Sequence, residues 1–395
     1  MISTIPTYLA FSSLGFGDAA ATYMTHSLAT SERLSALQAF QTVWSFVTSI
    51  TVIAAVVGIL GVAVCWDQGV LQSDVALSAG LLVVFALIIV QTSLLQAGYR
   101  ATGRYAHGTL ALGAMVLVEG LAVVAVAACG GGLVEAASAM LALRAAGALA
   151  SHAYLNRREP WLRPGWSHFS PTLLKDLRRP ALAAVGLTAG DALALQGIIV
   201  ALGIAASPAA AAAFGAVRTL CRMPLQASDM IGRASTPELT IAAASRDQRL
   251  FDRLTALNVG SALIIALPLL VVIALFGPDI GRAMTGGVIE FNYVLFSVIA
   301  LISLLQALRI SISHSLIAVN EQHRFTHPYL ALAIFVVFCP FILPDNIVII
   351  GTAAILAAME LLVLSVAVRG VFHIRSVYGF GNTTTTPRVS EERRQ

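Results

Sequence analysis

Eleven stretches of this chain stay apolar for roughly the length of a membrane crossing. They fall at about 5–28, 37–65, 75–98, 107–129, 133–155, 181–204, 207–231, 253–277, 290–318, 328–343 and 346–368. A helix needs about 20 apolar residues to traverse the hydrocarbon of a bilayer. Lipid offers no partner to an exposed peptide group, so only helices and closed barrels span it. Runs of this length predict an all-α polytopic membrane protein with about 11 transmembrane helices. Composition agrees: 58% of residues are hydrophobic and 11% charged, against about 45–50% and about 25% in soluble domains.

The charged residues sort by side. Arg33, the pair Arg100 and Arg104, the basic link 156–180, the trio Arg246, Arg249 and Arg253, then Arg324, Arg369 and Arg375 fall in alternate loops or helix ends. The intervening loops hold Asp67, glycines 130–132, Ser207, Asp279 with Arg282, and Asp345. The positive-inside rule puts the basic set in the cytoplasm. Eleven crossings then leave the N-terminus periplasmic and the C-terminus cytoplasmic. The formal charge of +4 reports orientation, and no nucleic-acid partner is inferred from it. Cys65, Cys129, Cys221 and Cys339 are scattered without CxxC spacing or a histidine cluster, so neither disulfides nor a metal site is expected.

Residues 104–112 read RYAHGTLAL and residues 324–332 read RFTHPYLAL. A weaker echo links LGFGDAAATYM at 14–24 with AAFGAVRTLCRM at 212–223. The copies lie six helices apart, and an even separation means parallel repeats about an axis along the membrane normal. The second half then has six helices over 181–370. The first has five over 1–155, with its first helix expected to be missing. The link 156–180 separates the halves. Ser170 or Pro171 could open a short amphipathic helix there, beside Trp161 and Trp166, as an interfacial segment or as an ordinary basic linker. The polar tail 371–395 reads as disordered.

Several ionisable residues sit inside the apolar runs. Arg218 and Arg222 are four apart in 207–231 and so share a helix face. An arginine at mid-bilayer costs roughly 2.5–3.5 kcal/mol on insertion scales, so that face must meet something polar. An anionic substrate and a buried carboxylate are the two answers. Arg309, with Gln306, Ser311 and Ser313 nearby, and Arg144 pose the same choice. Asp18, Asp191 and Asp229 are candidates for gating or for coupling to H+ or Na+, and Glu119 and Glu360 for static pairing. His107 and His327, at a helix start in both repeats, read as interfacial structure. No catalytic constellation and no bound cofactor is expected.

LGFGDAAATYM followed by SERLSALQAFQTV, ALQGIIVALGIAASPAAAAAFGAVRTLCRMPLQ, and STPELTIAAASRDQ together resemble the polysaccharide flippases. These are the O-antigen (Wzx-type) branch of the multidrug/oligosaccharidyl-lipid/polysaccharide exporter (MOP, MATE-like) superfamily. The likeness lies in order and spacing over nearly the whole chain. The chain departs from the family at Gln196, where members often carry an acid, and at Phe214, where they often carry tyrosine. The resemblance implies two MATE-like lobes of six-helix repeats around a cavity that opens alternately to each side. It implies a bacterial inner-membrane location, and an isoprenoid-diphosphate-linked oligosaccharide as substrate. Arg218, Arg222, Arg309 and Arg144 would bind it, and polysaccharide-assembly proteins would be partners. The rivals are a multidrug exporter of the same superfamily, which would want an acidic cavity, and a non-transporting assembly partner. A membrane glycosyltransferase or polymerase is disfavoured because every loop is short.

Overall fold

The computed structural model describes residues 15–284, 292–344 and 346–377. The first part of the segment at 5–28, residue 345 of the last turn and most of the tail lie outside them. The described residues form eleven helices, counting one through its internal π turn. These are α1 (Phe16–Ala29), α2 (Arg33–Asp67), α3 (Ser73–Ala101), α4 (Tyr105–Ala128), α5 (Leu133–Arg158) and α6 (Pro171–Ala205). They continue with α7 (Pro208–Ala244), α8 (Gln248–Met284), α9 (Tyr293–Ile317), α10 (His323–Phe338) and α11 (Val348–Val377). Nine are long and apolar enough to cross a membrane. Of the other two, α1 is described for only 14 residues and α7 carries the charges taken up below.

The expected repeat is visible in the packing. In the first half α3 is the hub, touching α1, α2 and α5. In the second α9 is the hub, touching α7, α8 and α11. Each hub is the third helix from the end of its half. The turns repeat as well. α1, α3, α7 and α9 all end in a left-handed residue, at Ser31, Gly103, Arg246 and Asn320. In all four, the next amide reaches back to the carbonyl five residues earlier: Glu32 to Ser27, Arg104 to Tyr99, Asp247 to Ala242 and Glu321 to Leu316. That is the Schellman closure, which satisfies the carbonyls a helix end leaves open. The two halves thus share hub and turn geometry.

By packing, the chain forms two compact units. One takes the chain through Ile198 together with Thr326–Val337; the other takes Ile199–Phe325 and the chain from Phe338. The sequence had suggested the link 156–180 as the dividing point. Packing divides the chain later, within α6, because the first part of that helix docks on α1 and α2. Gly15, at φ 69°, is where the approach is closest: a methyl group there would overlap the carbonyl of Ala181. Thr326 and Tyr329 of α10 lie against Gly186 and Gly190 of α6, small residues that let helices approach closely.

The link itself is structured. Ser170 caps α6, its hydroxyl accepting from the Leu173 amide, and Pro171 takes the first helical position, where its missing N–H is not needed. The expected short helix is therefore the first turns of α6, continuous with the membrane segment through Pro180. Gln41 donates to the Arg163 carbonyl and accepts from the Ser167 hydroxyl and the His168 amide. Ser45 donates to the Gly165 carbonyl, and Thr42 accepts from the Ser170 amide. A polar stripe at the start of α2 thus holds the link in place.

Candidate functional site

The intramembrane charges fall into two kinds. The first are sealed pairs. Arg144 Nη2 donates to Glu119 Oε2 at 2.6 Å, with side chains 5% and 6% exposed, and the guanidinium lies over the Phe85 ring at 5.3 Å. Arg309 Nε donates to Glu360 Oε2 at 2.8 Å, with side chains 2% and 0% exposed. Gln306 donates to the other Glu360 oxygen at 2.8 Å. Each pair joins helices within one unit. Each also uses the last helix of its half, where Arg144 and Glu360 are the twelfth and thirteenth residues, with the sign of the charge exchanged. Both arginines offered by sequence as ligands are thus held by the carboxylates read as static partners, and neither is open to a ligand here.

The second kind is a stripe on α7. At about 100° per residue, Arg218, Arg222, Asp229 and Arg233 all fall within about 60° of arc, and they span about 22 Å of helix. Exposure grows along the stripe. Arg218 is 4% exposed, Arg222 is half-buried, and the Arg233 side chain is 66% exposed. Arg222 makes no ion pair or hydrogen bond with another described residue. Arg233 Nε donates to Asp229 Oδ2 at 2.6 Å. The stripe therefore carries three positive charges and one negative. Arg233 escaped the sequence reading because the apolar run was cut at 231; steps of four, seven and four residues along the same face lead from Arg218 through Arg222 and Asp229 to it.

A histidine that sequence reading also missed lies beside the stripe. His314, on the hub helix α9, is 5% exposed. Its Nε2 is 3.1 Å from Asp229 Oδ1 and its Nδ1 is 3.0 Å from Thr236 Oγ1. A methyl group on Gly232 would overlap the imidazole, so this glycine is what lets the ring reach α7. Below it, Ser235 donates to Asn258 at 2.8 Å, and Thr255 and Ser315 lie 2.9 Å apart. The polar layer thus continues into α8.

The remaining candidates lie in the other unit. Asp18 pairs with Arg100 at 3.3 Å, on a side chain that is 67% exposed. Asp191 accepts from the Tyr329 hydroxyl at 2.6 Å. It stands just before the π turn Leu193–Gly197, an irregularity that recurs at functional positions in helices. Asp18 and Asp191 thus belong to the first unit, and Asp229 to the α7 stripe of the second. No cluster of His, Cys, Asp and Glu among the described residues is arranged to hold a metal ion.

No family model and no curated protein matches the sequence. Solved structures do match. A MATE transporter in the bent conformation superposes with a TM-score of 0.76 at 14% identity, covering 95% of this chain and 86% of that one. An outward-facing multidrug resistance MATE family transporter of the MOP superfamily gives 0.74 at 16%, over 96% of this chain and 87% of that one. A MOP superfamily transporter from Pyrococcus furiosus Vc1, described as having a binding pocket of reverse polarity that suggests a different function, gives 0.73 at 16% over the same shares. At such identities the likeness is one of architecture. A multi-pass chain that repeats one packing pattern twice, and superposes on these proteins over nearly its whole length, has the fold of the MATE transporters of the MOP superfamily.

Proposed function

We propose that this protein is a membrane flippase that moves an isoprenoid-diphosphate-linked oligosaccharide across the bacterial inner membrane by alternating access. The observation that carries this is the α7 stripe. Arginine pairs with phosphate oxygens through a planar, permanently charged fork. Three arginines on one face of a membrane helix, with Arg222 engaged by no described side chain, suit a diphosphate that must shed its water. A multidrug exporter for organic cations is the rival, since one similar structure is a multidrug resistance transporter. A stripe with two net positive charges disfavours cations. The neighbour described as having a pocket of reverse polarity is a precedent for a MATE-like fold with changed charge preference.

Binding here is the arginines' task, with half-buried Arg222 and exposed Arg233 the ones a ligand reaches first. Asp18 and Asp191 are proposed to gate or couple from the other unit, and membrane lipids and polysaccharide-assembly proteins are the proposed partners. The test is transport by the purified chain in proteoliposomes. A fluorescent, short-chain isoprenoid-diphosphate sugar should cross to the far leaflet with the wild-type chain and not with Arg222→Ala. Transport of a cationic dye, with none of the diphosphate lipid, would replace this reading by drug export.

A further inference from the structure

His314 is the only buried histidine among the described residues, and it has no part in the anion binding proposed for the stripe. Its surroundings admit two protonation states without stranding a polar atom. Thr236 Oγ1 lies 3.0 Å from His314 Nδ1 and 2.8 Å from the Gly232 carbonyl. The hydroxyl has one proton and two places to put it. When it donates to Nδ1, the ring is neutral, and Nε2–H donates to Asp229. When it donates to the Gly232 carbonyl, its oxygen accepts from Nδ1–H, and the ring is a cation donating from both nitrogens. A hydroxyl rotation of this kind removes the penalty that an unsatisfied buried donor or acceptor would otherwise impose on one state.

Other charges around the ring are accounted for. On α7, Asp229 is shared between His314 and Arg233, Glu238 is exposed, and Arg218 and Arg222 lie further along the stripe. On α8, Asp252 is held by Arg375 at 2.6 Å and Arg253 is exposed. On α9 and α11, Arg309 and Glu360 hold each other, while Arg369 and His373 are exposed. Asp229 is thus the carboxylate that reads the charge on His314.

We propose that His314 is a proton-binding site linked to anion binding on the α7 stripe. This rests on the anionic-substrate reading. A proton from water, arriving past the quarter-exposed Asp229, converts the ring to imidazolium. Asp229 then has two cationic partners instead of one, and the stripe with its neighbour gains a full positive charge. Anion affinity rises when the ring carries the second proton. By thermodynamic reciprocity, the bound anion raises the proton affinity by the same factor.

The probe is a water-soluble diphosphate diester, whose ester links fix its charge across the range used. It is titrated calorimetrically into the full chain in nanodiscs, at about pH 5.5 and about pH 8.5, either side of an ordinary histidine. At an intermediate pH the titration is repeated in two buffers of different ionisation enthalpy. Wild type should bind on the order of tenfold more tightly at the lower pH and take up protons on binding. His314→Gln, whose amide can still donate to Asp229, should bind at both pH values with neither effect. Thr236→Val keeps the ring but removes its Nδ1 partner, and should move the pH dependence to lower pH. It serves as the test if the glutamine variant does not fold. Binding without pH dependence in wild type, or dependence retained in His314→Gln, overturns the proposal and leaves the anionic-substrate reading standing. No binding at either pH overturns both.

Discussion

The sealed pairs and the α7 stripe use the same residue types at similar depth in the chain, yet they are built for opposite ends. Glu360 spends both oxygens on Arg309 and Gln306 and is 0% exposed. Asp229 also spends both, on Arg233 and His314, but Arg233 is two-thirds exposed, and Arg222 beside it has no described carboxylate. Glu360 has paid its desolvation at folding and has no oxygen left for a ligand; Glu119 Oε1 and Arg144 Nε lack a hydrogen-bond partner, but both side chains lie buried. A partly wet, net-positive stripe still has interactions to make. What separates a structural from a functional charge in these helices is therefore the count of compensating partners, not the residue or its depth.

The comparison breaks if the sealed pairs prove dispensable. Glu360→Ala strands Arg309 in a dry site, and removing one member of a buried pair costs roughly 3–5 kcal/mol. The expected outcome is loss of most folded protein in detergent, read by size-exclusion and thermal melting. Glu119→Ala should do the same to Arg144, which keeps the Phe85 ring beneath its guanidinium. Replacing Arg309 and Glu360 together by apolar residues of similar volume should recover much of the melting temperature. A sealed pair that bound substrate would lose transport in that double variant; the structural reading keeps it.

Gly232→Ala comes next. The added methyl must displace the His314 ring, and overpacking of this kind costs roughly 1–3 kcal/mol. It should lower the melting temperature by several degrees less than Glu360→Ala does. It should also disconnect Asp229 from α9, so that any pH dependence of anion binding weakens along with stability. A melting temperature equal to wild type would mean the ring has room the structure does not show.

How far could this have been read from the chain? The segments were legible because lipid forces long apolar helices, and 37–65, 75–98, 107–129, 133–155 and 290–318 match α2, α3, α4, α5 and α9 to within about four residues at each end. Where helices run on past the apolar stretch the count stops short: α6 begins at Pro171 rather than 181, α8 continues to Met284 and α11 to Val377, and α7 continues to Ala244 rather than 231, since Arg233 and Pro237 look like a loop to a hydropathy count. The same early stop hid the fourth charge of the stripe. Arg218 and Arg222 could be seen to share a face because that needs only the helical period. Which arginine meets which carboxylate could not be seen, because Arg309 and Glu360 are 51 residues apart and their pairing is a matter of tertiary packing. His314 was passed over inside ALRISISHSL for the same reason: its partners, Asp229 and Thr236, come from another helix.

Within the stripe, Arg222→Ala should weaken binding of the diphosphate diester by about tenfold, or ~1.4 kcal/mol, with little change in melting temperature. Arg222 has no described partner to strand, so its loss leaves no uncompensated charge behind.

Asp229→Asn is the smallest expected effect and the most telling, because its sign is opposite. Removing this carboxylate takes away the stripe's only negative charge and with it the ion pair to Arg233. At about pH 8, where an ordinary histidine is neutral, the stripe goes from two net positive charges to three. Arg233 is largely exposed, so solvent screens the change and an effect under about 1 kcal/mol is expected, read as a few-fold tighter binding of the same diester. A variant that merely loosened the α7–α9 packing would weaken binding, as Arg222→Ala does. Tightening from one substitution and weakening from the other, on the same helix face and in the same assay, would identify the stripe's charge as the quantity the ligand reads. Weakening from both would mean that the stripe serves helix packing, and would place it with the sealed pairs.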